Sequence, residues 1–446
     1  MIEILLSAVF AAELIAISLV MNHFTKCFSA FSIPGMAFIF LLAVEGIYIP
    51  IIFLKNQIYG PLELDEAIKI QLFLTLGLMY LFFALGVVFS SLLLKFKTGE
   101  FYDYLKKPIL PQKSILLATT VLFFLMMFFI YYFSVEFETI ARFKAYFSSF
   151  GNSNLIKEMR ADFGHHLNNS GIVGYFWSMS LFVFFPLLSL ILIALAHTGK
   201  NFLIKIFAGV AFLATCFALF SGLHRAPLVQ FLAMAAVSLL LFKGKLFYQK
   251  KKLFLLLLSA IILGSLMYVF TYGVSLGTGI YYLYNRFTEG SNLAWILHLK
   301  YFPETFDFLW GRDIGIVSKI MGWDYISSPQ LIAETFGARG ANFNALFISG
   351  LWVNFGYFGI IIGSFLLGAY LQGIQIWLLR SPRTPARMAL FGYLCFNVWY
   401  LVNISIFPAI FSFGLVTAPL LVVAGEVIAA FFWQIVFLRT SPFKST

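Results

Sequence analysis

Long uninterrupted apolar runs dominate this chain and constrain its fold more than any other feature. Eleven runs are present, near residues 4–21, 33–54, 68–94, 114–134, 171–196, 202–220, 227–242, 253–275, 351–379, 387–406 and 409–438. A helix needs roughly 20 apolar residues to cross about 30 Å of hydrocarbon, and 61% of the residues are hydrophobic against 11% charged. The sequence therefore predicts an all-α polytopic membrane protein, one domain over residues 1–446 with about 11 transmembrane helices (range about 10–13).

The basic residues are distributed unequally between the loops that these runs define. Threading the chain through eleven spans places 18 lysines and arginines with two acids on one side, and 12 basic residues with 14 acids on the other. Lysine and arginine accumulate in cytoplasmic loops, so the first side is predicted to be cytoplasmic, with the N-terminus outside and the C-terminus inside. The net charge of +11 is then a topology signal that calls for no nucleic-acid partner.

The cysteines and the first apolar run exclude further classes of protein. Cys27, Cys216 and Cys395 lie in or beside apolar runs without metal-binding or redox spacing, so we predict no disulfide framework, no metal and no cofactor. The first run lacks the basic segment and the small-residue cleavage site of a signal peptide. It is therefore predicted to be a span.

Two loops are much longer than the others, the segments 135–170 and 276–341, and both fall on the predicted external side. Long ordered loops in a compact fold are usually functional. The first has helical apolar spacing around Met159, and the second has a helix start at Ser328 and a stop at Gly337. We therefore expect two large external loops with short helices, which carry the functional surface.

Six of the ten arginines precede Arg380, and all six fall on this external side: Arg142, Arg160, Arg225, Arg286, Arg312 and Arg339. The planar guanidinium binds phosphate or carboxylate with two parallel hydrogen bonds, which lysine cannot do. Arg225, Arg286 and Arg339 each lie close to a predicted span end, at the headgroup level. One such arginine is equally typical of an interfacial anchor, but three on one face predict a pocket for a lipid-linked phosphate or diphosphate.

Chemistry in such a pocket needs a group that accepts a proton. His298 lies on a predicted amphipathic helix over 293–302 beside Trp295, and His224 precedes Arg225 in a tight turn. A loop histidine is more often a surface residue without a role. Tryptophan rings stack on sugar rings, yet they are equally typical of an interfacial aromatic belt.

Three further features have structural interpretations beside functional ones. The acids of the segment Glu63–Glu66 are typical either of a metal-binding pair or of partners for a helix dipole. The glycines from Gly350 to Gly368 predict a helix-packing face, with Gly359 and Gly363 as a small-xxx-small pair. The acids inside spans, Glu13, Glu45 and Glu426, either form a proton path or are hydrogen-bonded within the bundle.

Several local elements, together with the architecture of nearly the whole chain, carry a family resemblance. They are Ser221–Pro227, Tyr284–Phe287, Tyr301–Glu304 followed by Phe308–Gly311, Asn342–Gly359, and arginine–ten residues–glycine spacings at Arg160 to Gly171 and Arg339 to Gly350. In these respects the chain resembles the oligosaccharide repeat-unit polymerases of the bacterial envelope, the O-antigen polymerase family.

The resemblance implies a metal-independent, inverting C-type glycosyltransferase in the bacterial inner membrane. Such an enzyme moves a glycan from undecaprenyl diphosphate onto a new lipid-linked repeat unit at the outer face, as in lipopolysaccharide synthesis. The catalytic residues would be Arg225, Arg286 and His298. Substrate would be bound by Arg160, Arg339, His224, Tyr284, Trp295 and Asn342. The partners would be undecaprenyl-diphosphate-linked glycans and a chain-length regulator protein.

Two alternatives share the external arginine surface. An O-antigen ligase would use the same donor, although the large loop of such enzymes usually carries its histidine near its end, whereas His298 lies in the first half. A lipid-linked oligosaccharide transporter or flippase would call for internal repeats and broken helices, and the sequence shows few signs of either.

Overall fold

The computed structural model describes residues 2–54, 57–58, 62–110, 113–148, 158–159, 172–199, 201–221, 226–245, 258, 261–262, 264–266, 268–269, 272–287, 289–337, 343 and 345–438. Its first part contains α1 Ile2–Thr25, α2 Ile33–Leu41, a π-helical turn Leu42–Gly46, α3 Ile49–Phe53, the antiparallel pair β1 Gln57–Ile58 and β2 Leu62–Glu63, α4 Glu66–Leu93, α5 Glu100–Lys106, α6 Lys113–Glu136 and α7 Thr139–Ser148.

The second part continues with α8 Ile172–Met179, a π-helical turn Ser180–Phe184, α9 Phe185–Thr198, α10 Phe202–Phe220, α11 Ala226–Phe242, α12 Leu276–Phe287, α13 Glu289–Tyr301, α14 Gly315–Met321 and α15 Ser328–Thr335. It ends with α16 Ile348–Arg380, α17 Pro385–Asn397, a 3-10 turn Val398–Val402, α18 Ile406–Phe411 and α19 Thr417–Leu438.

Seven helical segments of the described residues are long and apolar enough to cross a membrane: Ile2–Thr25, Ile33–Phe53, Glu66–Leu93, Ala118–Glu136, Val173–Thr198, Phe202–Phe220 and Ile348–Arg380. Ala226–Phe242 and Thr417–Phe431 are shorter apolar helices. The chain is thus an all-α polytopic membrane protein. The number of about 11 spans stays a prediction, since the run 253–275 lies largely outside the described residues.

One end of the bundle is held together by basic side chains, and we call residues 94–107, 241–245 and 379–387 the basic end. Arg380 donates to both carboxylate oxygens of Glu100, at 2.8 and 2.9 Å. Arg383 is buried and donates to the carbonyl oxygens of Leu105 at 3.2 Å and Leu241 at 2.9 Å. Loops that the charge count assigns to one side therefore do meet in space.

Helices α4 and α16 run parallel and form the most extensive helix pair of the bundle. A methyl group on Gly86 would lie 2.0 Å from the Phe365 carbonyl oxygen, and one on Gly368 would lie 2.1 Å from that of Phe83. Small residues allow this backbone approach where dispersion and polar contacts drive helix association. Gln372 adds a buried hydrogen bond from its amide nitrogen to the Ser91 hydroxyl, at 2.9 Å.

The prediction that the run 409–438 forms one span as a single helix is wrong. The chain turns between α18 and α19, where Gly414 has φ +90° and Tyr370 donates to the Leu415 carbonyl oxygen at 2.7 Å. The side chains of Tyr393 and Asn397 donate to the carbonyl oxygen of Phe413. These donors satisfy backbone groups that a continuous helix would satisfy internally.

Candidate functional site

Helices α12 and α13 form a two-helix unit that contains four of the predicted site residues. Arg286 lies in the last turn of α12 and is exposed. Its guanidinium extends over the start of α13, because a methyl group on Gly290 would lie 3.7 Å from Nη1. The first backbone N–H groups of a helix carry partial positive charge. The Arg286 guanidinium therefore lies beside the first turn of α13, at an exposed place.

Tyr284 connects this unit to the interrupted span over residues 33–53. Its ring is 51% exposed and meets the ring of Tyr48 edge-on, with centroids 6.5 Å apart. One turn into α13, Asn292 donates from its amide to the carbonyl oxygen of Val44 at 3.4 Å. Val44 belongs to the π-helical turn, so the two-helix unit covers the break in that span.

The helix predicted over 293–302 is confirmed as α13, but its environment differs from the expected exposed face. Every residue from 292 to 299 is buried. Helix α13 packs against α4 and α16, and eight of the ten residues of 293–302 are apolar or aromatic, too many for a one-sided helix. The helix is thus an inserted element of the bundle and does not lie on its surface.

His298 is fully buried on this helix. Its Nδ1 lies 2.7 Å from the Ala294 carbonyl oxygen, whereas Nε2 has no hydrogen-bond partner among the described residues. Burial lowers the pKa of His298 to about 4, because a desolvated imidazolium is unfavourable. The ring is therefore neutral at pH 7, with an Nδ1–H donated to Ala294 and an unshared electron pair at Nε2.

Trp295 is also fully buried and is not available for stacking on a ligand in this structure. Its ring meets Trp352 edge-on at 6.4 Å and lies 6.5 Å from the His298 ring. The Trp352 indole N–H donates to the Phe302 carbonyl oxygen at 3.2 Å. The exposed tryptophans of this part of the chain are instead Trp310 and Trp323, at 65% and 37% exposure.

Gly356 reverses the chain inside α16. Its φ of +57° and ψ of −143° are non-helical, a conformation that glycine tolerates because it has no Cβ. The preceding turns fold back, so that Leu351 packs on Gly359 and Gly363. The predicted glycine packing face is confirmed, although its partner at these two positions is the neighbouring stretch of the same element.

The turns of α16 before Gly356 accept hydrogen bonds from the segment that follows α13. Leu309 donates its backbone N–H to the Val353 carbonyl oxygen at 2.8 Å, and Gly311 donates to Oδ1 of Asn354 at 2.7 Å. On another side, the Phe347 N–H donates to the Leu401 carbonyl oxygen at 2.7 Å. The described residues 41–48, 285–287, 289–311, 345–356 and 398–416 thus form one region of interrupted backbone, which we call the discontinuous end.

Glu45 lies in the π-helical turn of this region and is fully buried. Neither carboxylate oxygen has a hydrogen-bond partner among the described residues. Glu426, in contrast, accepts from Nε and Nη2 of Arg387 at 2.9 and 2.7 Å and from the Thr384 hydroxyl at 3.1 Å. The acids predicted inside spans therefore have different environments, and Glu426 belongs with the basic residues.

Asp313, in the long segment predicted to be external, is a residue that sequence reasoning missed. Its two carboxylate oxygens accept from the backbone N–H and the hydroxyl of Ser328, both at 3.0 Å. The cap of α15 is therefore a distant carboxylate, and Ser328 is its first helical residue. Burial raises the pKa of Asp313 to about 6.

Asp65 explains part of the acidic motif Glu63–Glu66. Its Oδ1 accepts from the backbone N–H of Ile68 at 2.7 Å, which caps α4. Among the described residues, no three His, Cys, Asp or Glu side chains form a cluster that could hold a metal ion. The remaining predicted site residues, Arg160, His224, Arg225, Arg339 and Asn342, lie outside the described residues.

Comparison with known proteins finds no matching family model, no similar curated protein and no similar solved structure. The arrangement of Arg286, the inserted helix α13 and the discontinuous end is therefore the basis for a functional conclusion.

Proposed function

We propose that this chain is a membrane glycosyltransferase that polymerises undecaprenyl-diphosphate-linked oligosaccharide repeat units into O-antigen or a related surface polysaccharide. The proposed reaction is metal-independent and inverting, with a C-type architecture at the outer face of the bacterial inner membrane. The observation that carries the proposal is the position of Arg286 over the first turn of the inserted helix α13.

The departure of the diphosphate requires a site that stabilises negative charge. The acceptor hydroxyl oxygen attacks the anomeric carbon, the bond from that carbon to the diphosphate oxygen breaks, and the leaving diphosphate gains negative charge. A bidentate guanidinium stabilises this charge most in the transition state. Helix N–H groups bind phosphate oxygens in the same way, so Arg286 and the start of α13 act on one leaving group.

The proton of the acceptor hydroxyl needs a destination, and His298 Nε2 is the proposed one. A neutral imidazole with an unshared electron pair can accept a proton, and Nδ1–H donation to Ala294 fixes this tautomer. Because His298 is fully buried, the proposal requires α13 to move when substrate binds. Arg225 is proposed to share the diphosphate, and Arg160, Arg339, His224, Tyr284, Trp295 and Asn342 to bind the second lipid carrier or the glycan.

The proposed topology has about 11 spans with the basic end in the cytoplasm, the N-terminus outside and the C-terminus inside. The meeting of Arg380, Lys107 and Arg383 at one end of the bundle supports it. A chain-length regulator is the proposed protein partner.

The test is an in vitro assay of the purified protein with undecaprenyl-diphosphate-linked repeat units in the presence of chelator, read as a ladder on a gel. We expect a ladder from the native chain and a loss of about 100-fold in rate for Arg286→Lys, because a point charge cannot replace the fork. Arg312→Lys is the matched control, since Arg312 is exposed and packs on Trp323. A normal rate for Arg286→Lys, or a ladder that chelator abolishes, would contradict the proposal.

A transporter of lipid-linked oligosaccharide is a second candidate, which the broken backbone favours. Discontinuous helices are typical of transporter binding sites, and the structure interrupts spans at Leu42–Gly46, Ser180–Phe184 and Gly356. Proteoliposomes distinguish the two functions. A transporter moves a lipid-linked repeat unit across the bilayer without lengthening it, whereas a polymerase lengthens it. If lengthening occurs only when lipid A core is added, the ligase alternative is correct.

A further inference from the structure

The segment between α13 and α15 has an exposed apolar surface outside the spans. Its members come from the turn before α14, from α14 itself and from the residues after it: Trp310, Ile316, Ile320, Met321, Trp323 and Tyr325, with exposures from 37% to 77%. We call this set the interfacial patch. Large apolar side chains that lie together on a surface mark a contact with a partner or a membrane.

Local contacts hold several residues of the interfacial patch in place. Trp310 has φ +49° and its ring meets Phe308 edge-on at 6.4 Å. The Arg312 guanidinium lies over the Trp323 ring at 5.9 Å. Beneath α14, Ser318 is buried and donates its hydroxyl to the Arg312 carbonyl oxygen at 2.9 Å, so Ile316 and Ile320 face outward together.

The position of the interfacial patch along the bundle indicates that lipid covers it. The ring of Trp310 lies 6.4 Å from that of Phe355, which adjoins the exposed residues Tyr357 and Phe358 of α16. From Tyr357 to Arg380 a helix extends roughly 35 Å, slightly more than the hydrocarbon thickness. Trp310 therefore lies at the headgroup boundary, continuous with a helix surface that faces lipid.

The composition of the patch fits that boundary. Tryptophan and tyrosine concentrate where hydrocarbon meets headgroups, and isoleucine and methionine are suited to the acyl region below. The exposed charged residues of the segment are Glu304 and Asp307 before Trp310, and Arg312, Lys319 and Asp324 after it. Long basic side chains such as those of Arg312 and Lys319 extend from this depth to the lipid phosphates. Six large apolar or aromatic side chains exposed in one segment, with Ile320 at 77% exposure, are unusual for a water-facing surface.

We propose that the interfacial patch inserts into the lipid leaflet at the discontinuous end, so that residues 309–326 form a membrane-surface anchor. Its partner is the bilayer itself, at the boundary of acyl chains and headgroups. The inference concerns the placement of this segment and holds for a polymerase, a ligase or a transporter alike. An anchored segment would lie between the membrane and both Asp313 and α15. It would therefore determine how far the external segment extends above the membrane.

The test places one bimane-labelled cysteine at a time in protein reconstituted into phosphatidylcholine–phosphatidylglycerol nanodiscs that contain a nitroxide lipid. The background replaces Cys27, Cys216 and Cys395 with alanine. Ile320→Cys is the test position, Phe358→Cys on α16 the lipid-facing reference, and Glu334→Cys on α15 the water-facing reference, all three native residues being exposed.

We expect nitroxide lipid to quench the label at Ile320→Cys about threefold more than the label at Glu334→Cys, and nearly as much as at Phe358→Cys. Ile316→Cys should behave as Ile320→Cys does. Quenching of both patch labels by aqueous iodide, with no response to nitroxide lipid, would overturn the proposal. Protection from both quenchers, with cross-links between copies at Ile320→Cys, would overturn it too and show that a second copy covers the patch.

Discussion

The two ends of the bundle satisfy their polar groups in opposite ways. At the basic end, Arg380, Arg383 and Lys107 donate to carbonyl oxygens, and Arg380 also donates to the Glu100 carboxylate. At the discontinuous end, Glu45 and Nε2 of His298 are buried with no hydrogen-bond partner among the described residues. A buried polar group without a partner costs free energy. The basic end therefore satisfies its charged groups internally, whereas the discontinuous end contains the buried polar groups that the proposed function would use.

The largest effect should come from the contact that both ends depend on, the α4–α16 pair. Gly368→Leu puts a side chain where only 2.1 Å separates a Cβ from the Phe83 carbonyl oxygen, so the helices must separate and we expect little folded protein. Size-exclusion chromatography after extraction in mild detergent measures this. Gly209→Leu is the control, because nothing lies within 4 Å of its Cβ position; equal yields of the two variants would refute the glycine contact.

The second-largest effect is expected on the free energy of unfolding when one polar side chain is replaced at each end of the bundle. Arg383→Met removes the donor of three backbone carbonyl groups in the basic end and should lower the free energy of unfolding by about 2–4 kcal/mol. Glu45→Gln removes no hydrogen bond and should change it by less than about 1 kcal/mol. Thermal unfolding in detergent provides both values. A larger loss in the free energy of unfolding for Glu45→Gln than for Arg383→Met would contradict the contrast between the two ends.

A smaller effect concerns pH at the discontinuous end. Because burial holds the pKa of His298 near 4, the unfolded chain binds a proton near pH 6.5 that the folded chain does not. Stability is therefore lost as pH falls from about 6.5 towards 4, by about 1–3 kcal/mol. His298→Gln should flatten this part of the pH profile of thermal unfolding; an unchanged slope would show that other groups cause it.

The smallest effect belongs to the exposed ion pair of the basic end. The hydrogen bond from Arg380 lowers the pKa of Glu100 below its usual 4.5, so the pair stabilises the fold above that pH and is lost as pH falls through the lowered value. Arg380 is 44% exposed, and such pairs contribute at most about 1 kcal/mol. Glu100→Gln should lower the unfolding temperature by only a degree or two near pH 7; a larger loss would mean that the carbonyl contacts of Arg380 depend on Glu100.

Sequence reasoning predicts the continuous parts of this protein well and the interrupted parts poorly. The spans over Ile2–Thr25 and Glu66–Leu93 follow from their apolar lengths. The π-helical turn Leu42–Gly46 lies inside an apolar run and leaves no mark on its hydropathy. The reversal at Gly356 depends on one glycine among several, and only tertiary contacts select it.

Sequence reasoning predicts which residues of the candidate site lie near one another, but it does not predict how exposed they are. The adjacency of Tyr284, Arg286, Trp295 and His298 in one two-helix unit follows from their closeness in the chain. Burial of α13 depends on α4 and α16, which no local pattern reveals. The apolar content of 293–302 was the available signal, since an exposed amphipathic helix would carry more polar residues on one side. The catalytic and binding roles of all nine predicted residues stay predictions.

The glycine contact between α4 and α16 has a consequence for biogenesis. Partners such as Ser91 and Gln372 are 281 residues apart in the chain, so α4 is inserted long before α16 is synthesised. Until then the glycine groove of α4 faces lipid or a provisional neighbour. A chain that terminates before Arg380 cannot complete this pair, and it would present the cell's membrane quality-control machinery with a half-assembled bundle.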